Sequence, residues 1–224
     1  ISSVAILSIL VLLLVAIYFI VYVERAQRRI LIQYPKRQMG NKMYGGESSY
    51  LPLKVNTAGV IPAIFASALL LLPVTLSNFS TSSNSIILSI TSMLGQGKPL
   101  YMIFYASGIV FFSFFYTSII FNPVETSDNL KKNGGFVPGI RPGDKTSEFI
   151  QNLLTKLTAI GSSYLVIICL LPEVLISKYP IPFYLGGTSL LIVAVVAMDT
   201  ITQVQTRLMS AQYASLIKKT KFSR

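Results

Sequence analysis

The sequence predicts an all-α integral membrane protein with five transmembrane helices and a β-hairpin-like loop on the cytoplasmic side. Of its 224 residues, 52% are hydrophobic and only 12% are charged, and the mean hydropathy is +0.63. A soluble domain carries about 25% charged residues, so this chain has too little polar surface to cover a water-soluble globule. The apolar residues are concentrated in separate stretches and the basic residues lie between them, which predicts both the spans and their orientation.

Five stretches are long and apolar enough to cross a bilayer, which takes about 20 mostly apolar residues in a helix. A further apolar patch at residues 86–94 is too short and too rich in serine to span, and it predicts an interfacial helix on the outer face. The predicted spans are residues 4–23, 58–76, 100–121, 154–172 and 183–203.

The distribution of Lys and Arg predicts the orientation. All but two of the 19 basic residues lie in residues 24–54, in residues 122–156 or after Asp199, and the exceptions are Lys98 and Lys178. Basic loops remain in the cytoplasm, so the N-terminus is expected outside and the C-terminus inside. The predicted cytoplasmic parts are the loops 24–55 and 122–152 and the tail 206–224. Because the chain opens on the outer face without a signal-peptide pattern, we expect further spans to precede it.

Both cytoplasmic loops have patterns typical of defined structure. In the first, Ile30, Leu31 and Ile32 form a β-prone strip, Gly40-Asn41 offers a turn, and Met43-Tyr44 can return as a second strand. In the second, several Gly and Pro residues surround Arg141 and restrict its backbone to a defined loop. The sequence therefore predicts a basic hairpin and a rigid basic loop on the same side of the membrane.

The basic loops have two interpretations. The charges can serve only to orient the chain and to meet anionic lipid head groups. Alternatively, they form a docking surface for a large anionic partner, such as ribosomal RNA, or for a soluble motor. The length and defined shape of the loops favour docking, because orientation needs only a few basic residues, but composition leaves both interpretations open.

The sequence lacks the residue combinations that enzymes use. It contains no histidine, and its one cysteine, Cys169, lies in an apolar run where it is expected to pack as a small hydrophobe. Asp199 and Glu173 lie at opposite ends of the spans, so they do not make the facing pair that intramembrane aspartyl catalysis requires. The segment Gly95–Lys98 lacks the spacing of a phosphate-binding loop. We therefore predict no catalytic residue, no metal site and no cofactor.

A few uncharged polar residues accompany the spans, and they also allow two interpretations. Asn56 and Thr57 precede the second span, and Thr188 and Ser189 lie near the start of the fifth. They can serve helix packing, or they can form a polar cluster at a seam that opens. A coupled-ion transporter would place ionisable residues near the middle of the membrane, and the sequence has none there.

Four long stretches resemble the bacterial SecY family. They are VERAQRR with YPKRQ, LPLKVNTAGVIPAIFAS, FNPVETSDNLKKNGGFVPGIRPGDKT, and PFYLGGTSLLIVAVVAMD with QVQ. The resemblance implies spans six to ten of a ten-span, pseudo-twofold bundle in the bacterial inner membrane. It also implies the central pore-forming subunit of the Sec translocase, which conducts unfolded preproteins and releases hydrophobic segments laterally into lipid.

The resemblance also implies roles for particular residues. Ile64 and Ile192 match the family's ring of aliphatic side chains at the central constriction, and Asn56 matches a polar position of its lateral gate. Asn41 stands where some relatives carry arginine. The residues implied in docking the ribosome or the SecA motor are Arg141, Lys131, Lys132, Lys36, Arg37, Arg28 and Arg29.

The partners that the resemblance implies are the small membrane subunits SecE and SecG, the SecA motor, the ribosome with its RNA and the proteins near its exit tunnel, preprotein signal sequences, and membrane lipids. Two other functions stay open from the residues alone. The chain could be half of an inverted-repeat secondary transporter, which also pairs five-span halves. It could also be a scaffold that only recruits partners through its basic loops.

Overall fold

The computed structural model describes residues 3–35, 37–39, 42–44, 48–79, 95, 98–178 and 187–222. The helices in this part of the chain are α1 (Ser3–Arg25), α2 (Ile61–Phe79), α3 (Pro99–Ile120), α4 (Pro123–Lys132), α5 (Asp144–Lys178) and α6 (Gly187–Phe222). The strands are β1 (Gln27–Gln33), β2 (Arg37–Met39), β3 (Lys42–Tyr44) and β4 (Ser48–Lys54).

Several of the helices suit a bilayer. Within the described residues, three helical segments are long and apolar enough to cross a membrane, and a shorter apolar segment runs over Ile61–Pro73. The three are Pro99–Lys132, Asp144–Leu175 and Gly187–Gln212. The helix α1 has 23 residues, about 35 Å at 1.5 Å per residue, and carries no charge before Glu24. The predicted helical membrane fold is confirmed, while the number of five spans stays a prediction.

The helices extend beyond the predicted spans on the cytoplasmic side. The loop predicted at 122–152 contains α4 and the beginning of α5, and α6 continues through much of the predicted tail 206–224. In α4, the side chain of Asn122 caps the helix by accepting hydrogen bonds from the N–H groups of Val124 and Glu125, at 3.1 and 3.4 Å. In α4, the charged segment therefore begins as a capped helix, which hydropathy does not reveal. The interfacial helix predicted at 86–94 lies outside the described residues.

The predicted cytoplasmic hairpin is confirmed and is longer than expected. The strands β2 and β3 pair antiparallel on either side of the predicted turn, with Met39 opposite Lys42. Below them, β1 pairs antiparallel with β4, from Gln33 opposite Ser48 to Gln27 opposite Lys54. The pairing of β4 was not predicted from the sequence. Ile30 and Ile32 are buried on one face of β1, as the period of two in a strand requires.

Two separate hydrophobic cores hold the chain together. The larger joins α1, α2, α3, α5 and α6, and Gly108 of α3 lets Ala66 of α2 approach closely, because a Cβ at Gly108 would lie 3.3 Å from the Ala66 methyl group. The smaller lies on the predicted cytoplasmic side and joins the hairpin to the second loop and the start of α5. Its buried residues are Ile30, Leu53, Val137, Ile150 and Leu154.

The first residue of α6 makes the closest helix contact among the described glycines. A Cβ on Gly187 would lie 2.6 Å from the carbonyl oxygen of Cys169 and 2.8 Å from its Cα. Cys169 is free and fully buried, as predicted for a small hydrophobe. The absence of a side chain at Gly187 therefore sets the distance between α5 and α6 at this crossing.

We predict that Gly187→Ala destabilises the folded protein by about 1–3 kcal/mol, because the backbone of α5 must shift to admit the methyl group. In an unobstructed helix the same change would stabilise by about 0.5–1 kcal/mol, so the sign of the effect is informative. Gly108→Ala is the milder comparison and should destabilise less, since its methyl group would lie 3.3 Å from the Ala66 methyl group and 3.8 Å from the Ala66 Cα. Thermal unfolding of the full-length protein in detergent measures both, and equal melting temperatures would contradict the contact.

Candidate functional site

An open cavity of about 360 Å³ lies between α2, α3, α6 and the cytoplasmic end of α1. The predicted ring residues Ile64 and Ile192 both line it, and so does the predicted gate residue Asn56. Ile64 is 41% exposed and Ile192 is 36% exposed, so neither side chain belongs to the packed core. Further apolar lining comes from Val60, Ile61, Ile120, Val195 and Val196. Two distant parts of the sequence, residues 56–64 and the region of Ile192, thus line one largely apolar cavity.

One end of this cavity is polar. Asn56 donates a hydrogen bond from Nδ2 to Oε2 of Glu24 at 3.0 Å, and the same amide group donates to the carbonyl oxygen of Gly59 at 3.2 Å. Glu24 and Asn56 are both buried, at 6% and 5% exposure. Lys54 and Asp199 also line this end. The amide of Asn56 is therefore held between the last turn of α1 and the segment that leads into α2.

At the polar end of the cavity, burial has the largest effect on the pKa of Glu24. Glu24 lies just beyond the first predicted span, and burial raises the pKa of its carboxyl above the ordinary value. The hydrogen bond from Asn56 and the positive charge of Lys54 act in the opposite direction, and the negative charge of Asp199 adds to the rise. The carboxyl is thus the most desolvated of the ionisable groups around the cavity, and its main compensation comes from Asn56.

The segment that carries Asn56 packs tightly on α5. A Cβ on Gly161 would lie 2.8 Å from the carbonyl oxygen of Val55 and 3.5 Å from the Cα of Asn56. Only a residue without a side chain leaves room for this backbone. The position of Asn56 is therefore supported from two sides, by the Gly161 surface of α5 and by Glu24 of α1.

The two loops predicted to be cytoplasmic are joined to each other. Gln33, at the end of β1, and Phe136, in the second loop, exchange both backbone hydrogen bonds, at 2.9 and 3.0 Å. Next to this bridge, a Cβ on Gly135 would lie 3.0 Å from both Ile32 and Tyr34. The smaller hydrophobic core lies beneath the same contact. The hairpin and the second loop therefore form one body.

The loop around Arg141 is held by side-chain hydrogen bonds to its backbone. Thr146 donates from its hydroxyl to the carbonyl oxygen of Arg141 at 2.9 Å, and Ser127 donates to the carbonyl oxygen of Gly143 at 2.7 Å. Gly139 and Gly143 have φ values of +82° and +103°, which side chains other than glycine rarely adopt. The side chain of Arg141 is exposed above this fixed backbone.

The predicted docking residues are distributed over this body. Arg28, Arg29, Lys131, Lys132 and Arg141 are all exposed. Lys36 and the side chain of Arg37 lie outside the described residues, although the backbone of Arg37 begins β2. The structure brings basic residues of both loops onto one connected body, and their role in docking stays a prediction.

Sequence reasoning missed the contribution of Glu24. Its signal was an acidic residue at the end of an apolar span, inside an otherwise basic loop. The pair Thr188 and Ser189, considered for a seam, is not among the residues that line the cavity. Within the described residues, no group of three His, Cys, Asp or Glu side chains is placed to hold a metal ion.

The family model and the curated relatives that match this chain all belong to one family. The family model described as SecY matches residues 2–201. The chain is 56% identical over 207 residues to the protein translocase subunit SecY of Rickettsia bellii, covering 92% of this chain and 48% of that protein. It is 52% identical over 221 residues to the protein translocase subunit SecY of Escherichia coli K12, covering 95% of this chain and 50% of that protein.

Solved structures agree at the level of the fold. A structure of a SecY protein described for its plug domain matches with a TM-score of 0.57 and 18% identity, covering 87% of this chain and 48% of that one. A structure of a protein-conducting channel matches with a TM-score of 0.57 and 17% identity over the same shares. The chain thus spans about half the length of the curated relatives and of the structures it matches.

Proposed function

This chain belongs to the SecY family, and on that premise we propose that it forms one half of the wall of a protein-conducting channel. As a member with several apolar helices, it is a multi-pass protein of the bacterial inner membrane. In the proposed arrangement, the predicted spans 4–23, 58–76, 100–121, 154–172 and 183–203 enclose one side of the pore. The loops 24–55 and 122–152 and the tail 206–224 face the cytoplasm.

The observation that carries the proposal is the convergence of Ile64, Ile192 and Asn56 on one cavity. These two isoleucines lie outside the packed core and are partly exposed at a concave surface between helices. A matching surface from the other half would close this groove into a constriction. The family assignment favours this channel over the transporter and scaffold alternatives.

Such a constriction works without a chemical step. Bulky apolar side chains exclude water and ions by dewetting and need no charged selectivity filter. A translocating chain of arbitrary sequence then meets side chains that bind none of its groups strongly. A hydrophobic segment leaves sideways when its transfer into lipid is favourable. We propose that α2, with Asn56 at its approach, forms part of the wall that moves in this exit.

We further propose that the joined cytoplasmic loops dock the translocase's partners, namely the ribosome or the SecA motor, while SecE and SecG accompany the helices in the membrane. Docking requires groups that are held at fixed positions, because ordering a flexible loop on binding costs affinity. The Gln33–Phe136 bridge and the bond from Thr146 to Arg141 support this requirement. The positive charge of the exposed basic residues suits an anionic partner such as RNA.

We predict that Ile64→Asn and Ile192→Asn each increase the ion leak of the full-length channel, because a polar side chain stabilises water in an apolar constriction. Conductance across planar bilayers or proteoliposomes measures the leak. Ile64→Leu and Ile192→Leu are the matched controls, since they retain apolar side chains of the same volume. Leak equal to that of the unsubstituted protein in both Asn variants would overturn the pore assignment.

We predict that Arg141→Glu lowers preprotein translocation by about tenfold or more, because it places a negative charge where an anionic surface is expected to dock. Lys145→Glu makes the same charge change at an exposed position close by and should have a small effect. Import of a preprotein into inverted membrane vesicles measures both, with immunoblotting of the inserted protein as the check on insertion. Equal translocation by the two variants would contradict docking through Arg141.

A further inference from the structure

The buried hydrogen bond between Glu24 and Asn56 lies at the base of the basic hairpin. It joins residues 32 positions apart in sequence, at opposite ends of the hairpin segment. Next to it, the N–H of Val55 donates to the carbonyl oxygen of Ala26 at 3.1 Å, which continues the β1–β4 pairing beyond Gln27 and Lys54. The Glu24–Asn56 hydrogen bond therefore lies directly beyond the last backbone hydrogen bond between the two sides of the hairpin.

The hairpin is connected to α1 by a single residue and to α2 by the six residues 55–60. Ala26 is the single residue between α1 and β1, and its N–H donates to the carbonyl oxygen of Val23 at 3.0 Å. On the other side, the amide of Asn56 also donates to the carbonyl oxygen of Gly59, two residues before α2 begins. A displacement of α2 relative to α1 that takes residues 56–60 with it must therefore either break the bond from Asn56 to Glu24 or move the hairpin as well.

Burial makes this bond costly to lose. Both side chains are almost fully enclosed, so water has little access to replace a lost partner. Lys54 and Asp199 are the other charged groups at this end of the cavity, whereas the amide of Asn56 donates to Glu24 and to the carbonyl oxygen of Gly59. An unpaired buried polar group is more costly than an unpaired exposed one, so the paired arrangement is favoured.

We propose that Glu24 is a positioning residue that latches Asn56, and with it the approach to α2, in the closed arrangement of the channel. The proposal rests on the proposed function, because it assumes that α2 moves when the channel opens. Because the Glu24–Asn56 bond lies at the base of the hairpin, opening of the channel requires this bond to break. A partner that displaces the hairpin would act on the same bond. Glu24 touches no substrate in this scheme and acts only through Asn56.

The test compares ion leak and preprotein translocation for four variants of the full-length protein. Glu24→Ala and Asn56→Ala each remove the bond, and each should raise the closed-state leak by about tenfold, the factor expected for one hydrogen bond to a carboxyl group. Glu24→Gln keeps an acceptor oxygen in the same place and should give an intermediate leak. The Glu24→Ala/Asn56→Ala double variant should leak no more than either single variant, because both changes remove the same bond.

A role in stability alone is distinguished by the melting temperature, since Glu24→Gln should change the leak with little change in unfolding. Glu125→Gln, an exposed carboxyl on α4, is the control and should match the unsubstituted protein. Additive effects in the double variant, or unchanged leak in all Glu24 variants, would overturn the latch. If the Ile64→Asn and Ile192→Asn variants leak while the Glu24 variants do not, the proposed role of Glu24 is wrong and the channel proposal is retained. If none of them leaks, the channel proposal itself fails.

Discussion

The constraint on which the rest of the structure depends is that backbone polar groups have no water to bond with inside a bilayer. Each segment in the hydrocarbon region must satisfy its own N–H and C=O groups, and a helix does so within one segment. The helical conformation of the apolar segments in α3, α5 and α6 follows from this requirement, and so does the placement of every described strand in the predicted cytoplasmic region. Polar side chains can then be concentrated where the helices end, and Glu24 and Asn56 meet at such a point.

The membrane core and the cytoplasmic body are connected through backbone and buried side chains. The smaller core joins the hairpin to the second loop, and the base of the hairpin continues directly into α1 and towards α2. A cytoplasmic body that is itself rigid can transmit a displacement, whereas a flexible loop would absorb it. This connection gives the proposed docking of a partner a physical route to the cavity lined by Ile64 and Ile192.

The helices and the hairpin could be predicted from the sequence because local patterns of residues determine them. The apolar stretches and the strip at Ile30–Ile32 predicted the helices and the hairpin, because span length and strand period are local properties. The bridge between Gln33 and Phe136 and the hydrogen bond from Asn56 to Glu24 join residues that are distant in sequence, and no local pattern predicts such contacts. Ile64 was singled out only through the family resemblance, because an isoleucine facing a cavity and one facing lipid look the same in hydropathy.

In the proposed channel, the cavity containing Ile64 and Ile192 is one side of the path taken by a translocating chain. Photo-crosslinking tests this most directly, with a photoreactive amino acid placed at position 64, 192 or 103 of the full-length protein and a preprotein arrested in transit. Ile103 is an exposed apolar residue of α3 that does not line the cavity. We expect crosslinks to the preprotein from positions 64 and 192 and none from 103. Crosslinks from 103 alone, or equal crosslinking from all three positions, would contradict the account.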